Sequence, residues 1–190
     1  MQTTHIKTLT ATNSSSLDFV DGTSSVVLDN TYDEYMFVFS NINPATEGAD
    51  LQFQVNSTND AGGGFDTSQI TSTFFIAYHF EHAEQTYHYG YDDGRDLAQS
   101  ANFQTLVNGQ TDDADSGCSG YLNLYSPSST TYVKHFTGRF NAVEHHSDSN
   151  FSVQTWVAGY INDASYAIDE IRFKMDSGNF DGVIQLFGIS

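Results

Sequence analysis

Residues 168–189 constrain this fold more than any other stretch, because they read as two β-strands joined by a tight turn. Ile171, Phe173 and Met175 alternate with Arg172 and Lys174, giving one apolar and one wet face. Ser177, Gly178 and Asn179 supply the turn, since glycine and asparagine tolerate the positive φ of a hairpin connection. Val183 to Ile189 is then nearly continuously apolar, the pattern of a strand covered on both faces. A closing hairpin is expected here, with its second strand tied into the core up to Ser190.

Strand signals recur upstream at short intervals. Ser24 to Leu28 is brief and β-branched, and Asp29 and Asn30 break it. Glu34 to Ile42 holds an unbroken apolar run from Tyr35 to Phe39. Leu51, Phe53 and Val55 alternate with Gln52, Gln54 and Asn56, as in a half-buried strand. Asn56 to Ser68, with its glycines and small polar residues, reads as a loop, and Thr73 to Phe80 restarts the β pattern. Glu81 to Ser116 is the least regular region, expected to form surface loops around a strand at Phe103 to Val107, with one helical turn near Asp96 to Ala101. The three longest strands are expected at Gly117 to Ser126, Thr131 to Val143 and Phe151 to Ile161. In the last, Phe151, Val153, Thr155 and Val157 share one face, and Ser152, Gln154 and Trp156 the other. The polar segment Glu144 to Asn150 should be an exposed hairpin tip.

Roughly ten strands without heptads, repeats or a long amphipathic helix point to one all-β domain over residues 1–190, a jelly-roll-like antiparallel β-sandwich of two sheets. Fifteen Phe and 11 Tyr against one Trp suit strands and oppose disorder, the other reading of so acidic a chain. Phe37, Phe53, Trp156 and Phe173 are the expected core rings. Twenty-four acidic and six basic residues give a net charge of −18, which repels nucleic acid and anionic membranes and suits a saline setting. No apolar stretch approaches the ~20 residues of a membrane span, and the first residues lack an apolar signal region, so synthesis in a cytosol without a cleavable signal is expected. One cysteine, Cys118, excludes an intrachain disulfide and reads as a small buried apolar residue.

Candidate sites are few. His79, His82 and His88 cluster with Glu81 and Glu84, but their surroundings lack the fixed frame of structural zinc, and a polar strand end is the preferred reading. Asp112, Asp113 and Asp115 before Ser116 and Gly117 resemble the opening of a calcium loop, and Asp92, Asp93 and Asp96 suggest the same. Calcium takes about six to eight oxygens, often with a closing Glu, and none follows before Glu144, so solvated acidic loops are preferred. His145 and His146 beside Glu144 and Asp148 read as a wet tip. The common hydrolase and phosphate-binding motifs do not occur, so neither a catalytic residue nor a cofactor or metal is assigned. Tyr87, Tyr89 and Tyr91 alternate and share a face, suited to core packing or a protein interface, with glycan contact as the alternative.

A further set of landmarks carries a resemblance. They are Ile6 to Ala11, Tyr32 to Phe39, Asn41 to Thr46, Gly94 to Ser100, Ser119 to Pro127 and Tyr132 to Phe136, followed by the closing segment. Their order from Ile6 to Ile189 resembles a family of small β-rich virion proteins of tailed phages that infect marine bacteria. The family's last turn commonly carries one more residue, a Ser before the second Gly, and a Tyr where this chain has Phe187. The resemblance implies a structural role on the particle exterior and brings no catalytic residues. A capsid decoration (cement) protein is the first expectation, contacting the major capsid protein or other virion proteins, assembled in the host cytoplasm, with a homotrimer favoured. A receptor-binding module of a tail or head fibre that recognises host surface glycan is the alternative. A glycan-degrading enzyme is the third class considered, since sandwiches host lectins and hydrolases alike.

Overall fold

The alternation of apolar and polar side chains is realised as strand almost wherever the chain is not turning. The computed structural model describes residues 2–60, 64, 65, 67–82 and 87–190. These residues form β1 (Thr3–Ser14), β2 (Leu17–Val20), β3 (Glu34–Pro44), β4 (Ala49–Ser57), β5 (Ile70–Phe80) and β6 (His88–Tyr91). They continue with β7 (Gln104–Gln110), β8 (Cys118–Tyr125), β9 (Lys134–Glu144), β10 (Phe151–Ile161), β11 (Ile168–Met175) and β12 (Phe180–Ile189).

Eight of the strands behave as one doubled ribbon. β1 pairs with β12, β2 with β11, β3 with β8 and β4 with β7, all antiparallel. This nesting means that the chain runs out along one half of the ribbon and returns along the other. Rolling the ribbon puts β1, β12, β3 and β8 side by side in one sheet and β2, β11, β4 and β7 in the other. The result is the expected all-β jelly-roll sandwich.

Two insertions enlarge the first sheet. β5 and β6 leave the ribbon between β4 and β7, and β9 and β10 leave it between β8 and β11. Together they extend the sheet past β8 in the order β9, β10, β5, β6. The central strand β10 stays in unbroken register with both neighbours from Phe151 to Ile161. A single bridge, Gln110 to Glu144, joins β7 to β9 and nearly closes the sandwich at that corner.

Inward side chains of both sheets meet in an aromatic core. Phe173 of β11 lies 5.2 Å from Phe37 and 5.0 Å from Phe39, centroid to centroid, and Phe53 lies 5.1 Å from Phe136. Cys118 is buried in the same core, and burial pushes its thiol pKa up.

Several expectations need correction. The closing segment is strand, turn, strand, but not a hairpin: β11 lies in the smaller sheet and β12 in the larger. Gly178 has a φ of 73°, and a Cβ there would run into Thr46, so the turn crosses between sheets under tight packing. β12 buries one face, with Ile184 and Leu186 inward, and leaves Val183 and Phe187 only half covered. Ser24 to Leu28 is no strand, because Ser24 and Ser25 both take positive φ and bend the chain. Val26 and Leu28 are buried all the same, and Leu28 N–H donates to Asp21 Oδ1 at 2.8 Å. Residues 96–101 contain no helical turn. β1, at 12 residues, is longer than any of the three strands expected to be longest. β4 is buried on both faces rather than one, because its polar face anchors a covering segment. Gln54 donates through Nε2 to the carbonyls of Ala101 and Asn102 at 3.0 and 3.1 Å. The side chains of Arg172 and Lys174, on the face expected to be wet, lie over the rings of Phe65 and Phe103.

Among the described residues, Lys134 is a fully buried cation. Its Nζ donates to the carbonyls of Asp163 and Tyr166, and burial lowers its pKa against the pull of Asp163. Lys134→Met should cost about 1–2 kcal/mol in a urea melt, since two carbonyls lose their donor but border a loop that water can reach. An unchanged midpoint would show that the ammonium does not hold the loop.

Candidate functional site

The inserted strands build a surface that the sequence does not announce. On β9 and β10, Phe136, Phe140, Val153 and Val157 point inward. The period of two therefore turns Thr137, Arg139, Asn141, Gln154 and Trp156 outward. Register then aligns residues from five strands into one cross-strand row. Tyr121 faces Arg139, Arg139 faces Trp156, Trp156 faces Phe75, and Phe75 faces Tyr91.

The rings in this row remain accessible: Tyr91 is 48% exposed, Phe75 46%, Tyr121 39% and Trp156 37%. Arg139 lies over the Trp156 ring, 5.8 Å from its centroid. With its amide oxygen turned toward Arg139, Gln154 accepts from Nε and Nη2 at 2.5 and 2.6 Å. Phe75 and Tyr91 meet edge to face at 5.1 Å, and the Tyr91 hydroxyl donates to Asp96. That hydrogen bond to a carboxylate raises the tyrosine pKa.

Polar rows flank the aromatic one. On one side stand Ser119, Asn141, Gln154, Ala77 and Tyr89. On the other stand Asn123, Thr137, Ala158 and Thr73. Two open depressions lie along the row. One of about 360 Å³ is lined by Thr73, Thr137, Arg139 and Trp156, and one of about 590 Å³ by Phe75, Ala77, Tyr89 and Trp156. Chemically this is an open stacking surface with amide, hydroxyl and guanidinium groups at its margins.

The sequence candidates distribute as follows. Tyr89 and Tyr91 share one face of β6, as their alternation requires, and Tyr87 immediately precedes it. Tyr87 and Tyr89 are 71% and 76% exposed, so they are not core. Trp156, expected in the core, instead stands at the centre of the outer row. His79 contacts the Phe80 carbonyl, and His88 lies against the Tyr78 ring. Glu84 lies outside the described residues. Among the described residues no group of three or more His, Cys, Asp or Glu side chains is gathered to hold a metal. Asp113 Oδ2 accepts from Asn150, Asp112 N–H donates to Glu47, and Asp92 accepts from Gly94 N–H within its own turn.

The expected wet tip after β9 is also only partly wet. His145 pairs with Glu47, whose pKa is lowered first by the Asp112 N–H. His146 stacks edge-on against Phe80 at 5.1 Å. Glu144 turns toward the interior, accepts from Asn108 Nδ2 at 3.0 Å, and is pushed up to about 8, chiefly by burial. Nearby Asp50 is buried, accepts from Gly109 N–H at 2.9 Å and pairs with Arg95 at 2.8 Å. This cluster ties β4, β7 and β9 together at the closed corner.

With a net charge of −18, self-repulsion opposes the compact state, and added salt screens it. The melting temperature should therefore rise as sodium chloride is added from very low levels. A steady fall would contradict this.

The aromatic row was not legible because its members come from positions 75, 91, 121, 139 and 156, and only strand register unites them. The one local signal was an aromatic on the outward phase of β5, β6, β8 and β10, with Arg139 on β9 between Tyr121 and Trp156. Comparison with known protein families, curated proteins and solved structures finds no match to this chain.

Proposed function

We propose that this chain is a non-catalytic structural protein of a virion exterior, a capsid decoration protein whose larger sheet mediates surface contacts. The observation that carries this reading is the row from Tyr121 to Tyr91. Rings of this size are normally buried or engaged, and here they stand aligned on an outward face. The ordered landmarks from Ile6 to Ile189 support the virion assignment, and a jelly roll is compatible with it without requiring it.

Anchoring and display use different parts of the fold. Among the described residues β6 pairs with β5 alone, so its backbone edge is open to a neighbouring copy while its tyrosines face outward. A homotrimer joined through such edges would match a symmetry point of a shell and grip the major capsid protein from one end. The chain then acts in the virion, after assembly in a host cytoplasm. Quantitative mass spectrometry of purified particles tests the reading. Copy numbers in proportion to the shell subunit are expected; absence from the particles would overturn it. A few copies per particle would favour a receptor-binding fibre module, the second reading, which the stacking chemistry of the same row also suits.

A further inference from the structure

Resting on the reading of this outer face as the contact surface, we infer that the aromatic row is a binding platform for an uncharged polysaccharide. Four observations select that occupant over others.

The first is chemical pairing. The apolar face of a sugar ring presents C–H groups, which suit the negative face of an aromatic ring, while its rim presents hydroxyls. The row offers that combination: Trp156 and Phe75 form a ridge, with Gln154, Thr137 and Arg139 within reach on its flanks. Asp96 adds a carboxylate acceptor beside Tyr91.

The second is shape. The row crosses five strands, four steps of about 4.8 Å, so it spans roughly 19 Å, about the length of four sugar rings. Open depressions flank Trp156 on both sides, so a linear chain lying along the row has room for its rings and rim hydroxyls.

The third is charge. A net charge of −18 repels nucleic acid, anionic lipid and acidic polysaccharide alike, and Arg139 is the only formal charge in the aromatic row. Among polysaccharides, that leaves a neutral one.

The fourth is area. The four rings of the row and Tyr89 beside it, of about 150–250 Å² each and exposed to between 37% and 76%, offer on the order of 500 Å². A stable protein partner needs about 800 Å² a side. The platform is therefore small for a second copy of this chain.

Native affinity electrophoresis of the full chain tests the assignment, with gels containing a neutral β-glucan, a galactomannan, a neutral α-glucan or the anionic polymer alginate, supported by an array of neutral glycans. Retardation by at least one neutral polymer is expected, with none in alginate. Trp156→Ala and Tyr89→Ala should each weaken it at least tenfold. Tyr89 is largely exposed, so its variant keeps the test valid if Trp156→Ala fails to fold, and the melting temperature of each is measured alongside. No binding to any neutral polymer or arrayed glycan would overturn the assignment, as would retention unchanged in both variants or a preference for alginate. Concentration-dependent dimerisation abolished by the same variants would assign the row to a protein interface instead. Copy number in particles is read independently. A protein abundant in virions that binds no glycan sinks only the glycan platform. A glycan-binding protein absent from virions sinks only the virion assignment.

Discussion

Phe173→Ala should destabilise the protein by about 3–5 kcal/mol in a urea melt, the largest loss expected from any single ring. Phe173 is completely buried at the centre of the sandwich and meets Phe19, Phe37, Phe39 and Phe53, at centroid distances between 5.0 and 6.4 Å. Truncation therefore removes contacts with both sheets at once and leaves a cavity that rigid strands cannot collapse into. Phe37→Ala and Phe53→Ala should fall in the same range, since both are fully buried. Trp156→Ala should cost less than about 2 kcal/mol, because the indole gives up less buried area from an outer face. Equal losses for Phe173 and Trp156 would mean that the faces of β10 have been assigned the wrong way round.

Glu144 should make stability fall as pH rises from about 4.5 to about 8. Its folded-state pKa is raised from the ordinary 4.5 to about 8, with burial the first cause and the charges of Asp50 and Asp92 adding to it. Arg95 and the Asn108 hydrogen bond pull the other way and do not prevail. The fold thus binds this proton more tightly than the unfolded chain does. Its contribution is fully present below the unfolded pKa and is lost as pH climbs through the folded one. The full shift would correspond to nearly 5 kcal/mol, and access of water to the corner reduces this to on the order of 2–3 kcal/mol. Asp50, raised mainly by burial, adds in the same sense, whereas Glu47 has a lowered pKa and acts below this window. Glu144→Gln should flatten the difference between urea midpoints at pH 5 and pH 9 and be the more stable protein at pH 9. A wild-type protein equally stable at both, or a Gln variant that keeps the slope, would refute this.

The aromatic platform and the acidic corner sit at different places in the extended sheet, and each joins inserted strands to the ribbon: β8 supplies Tyr121 to the platform, and β4 and β7 supply Asp50 and Asn108 to the corner. The four additional strands supply surface on one face and core side chains such as Phe74, Phe136, Phe140 and Val157 on the other. β9, β10 and β5 are long and in register, which is what a platform for an extended ligand requires. The Gln110 to Glu144 bridge holds the inserted pair β9 and β10 against the smaller sheet, so the pH-sensitive corner braces the sheet that displays the rings.

The sequence by itself determined the class of fold and the phase of individual strands. Period-two alternation is a local property, so Ile171, Phe173 and Met175 could be assigned to the core, and Phe151, Val153 and Val157 placed on one face of β10, without knowing any neighbour. For Trp156 the same reasoning expected a core ring, although a large apolar ring is favourable in a core and in a binding surface alike and its phase does not say which face of β10 is the inner one. Only the tertiary structure decided that. It also decided that residues 177–179 cross between sheets, since turn chemistry fixes the bend but not which strands the flanking segments pair with. Glu144 was read as solvated from its polar neighbours and proved to be half-buried against β7, forty residues or so away in the chain. The row of Tyr121, Arg139, Trp156, Phe75 and Tyr91 is the clearest case. Each residue's outward phase is written in its own strand, but their alignment depends on register between strands, which is set by packing across the whole sheet.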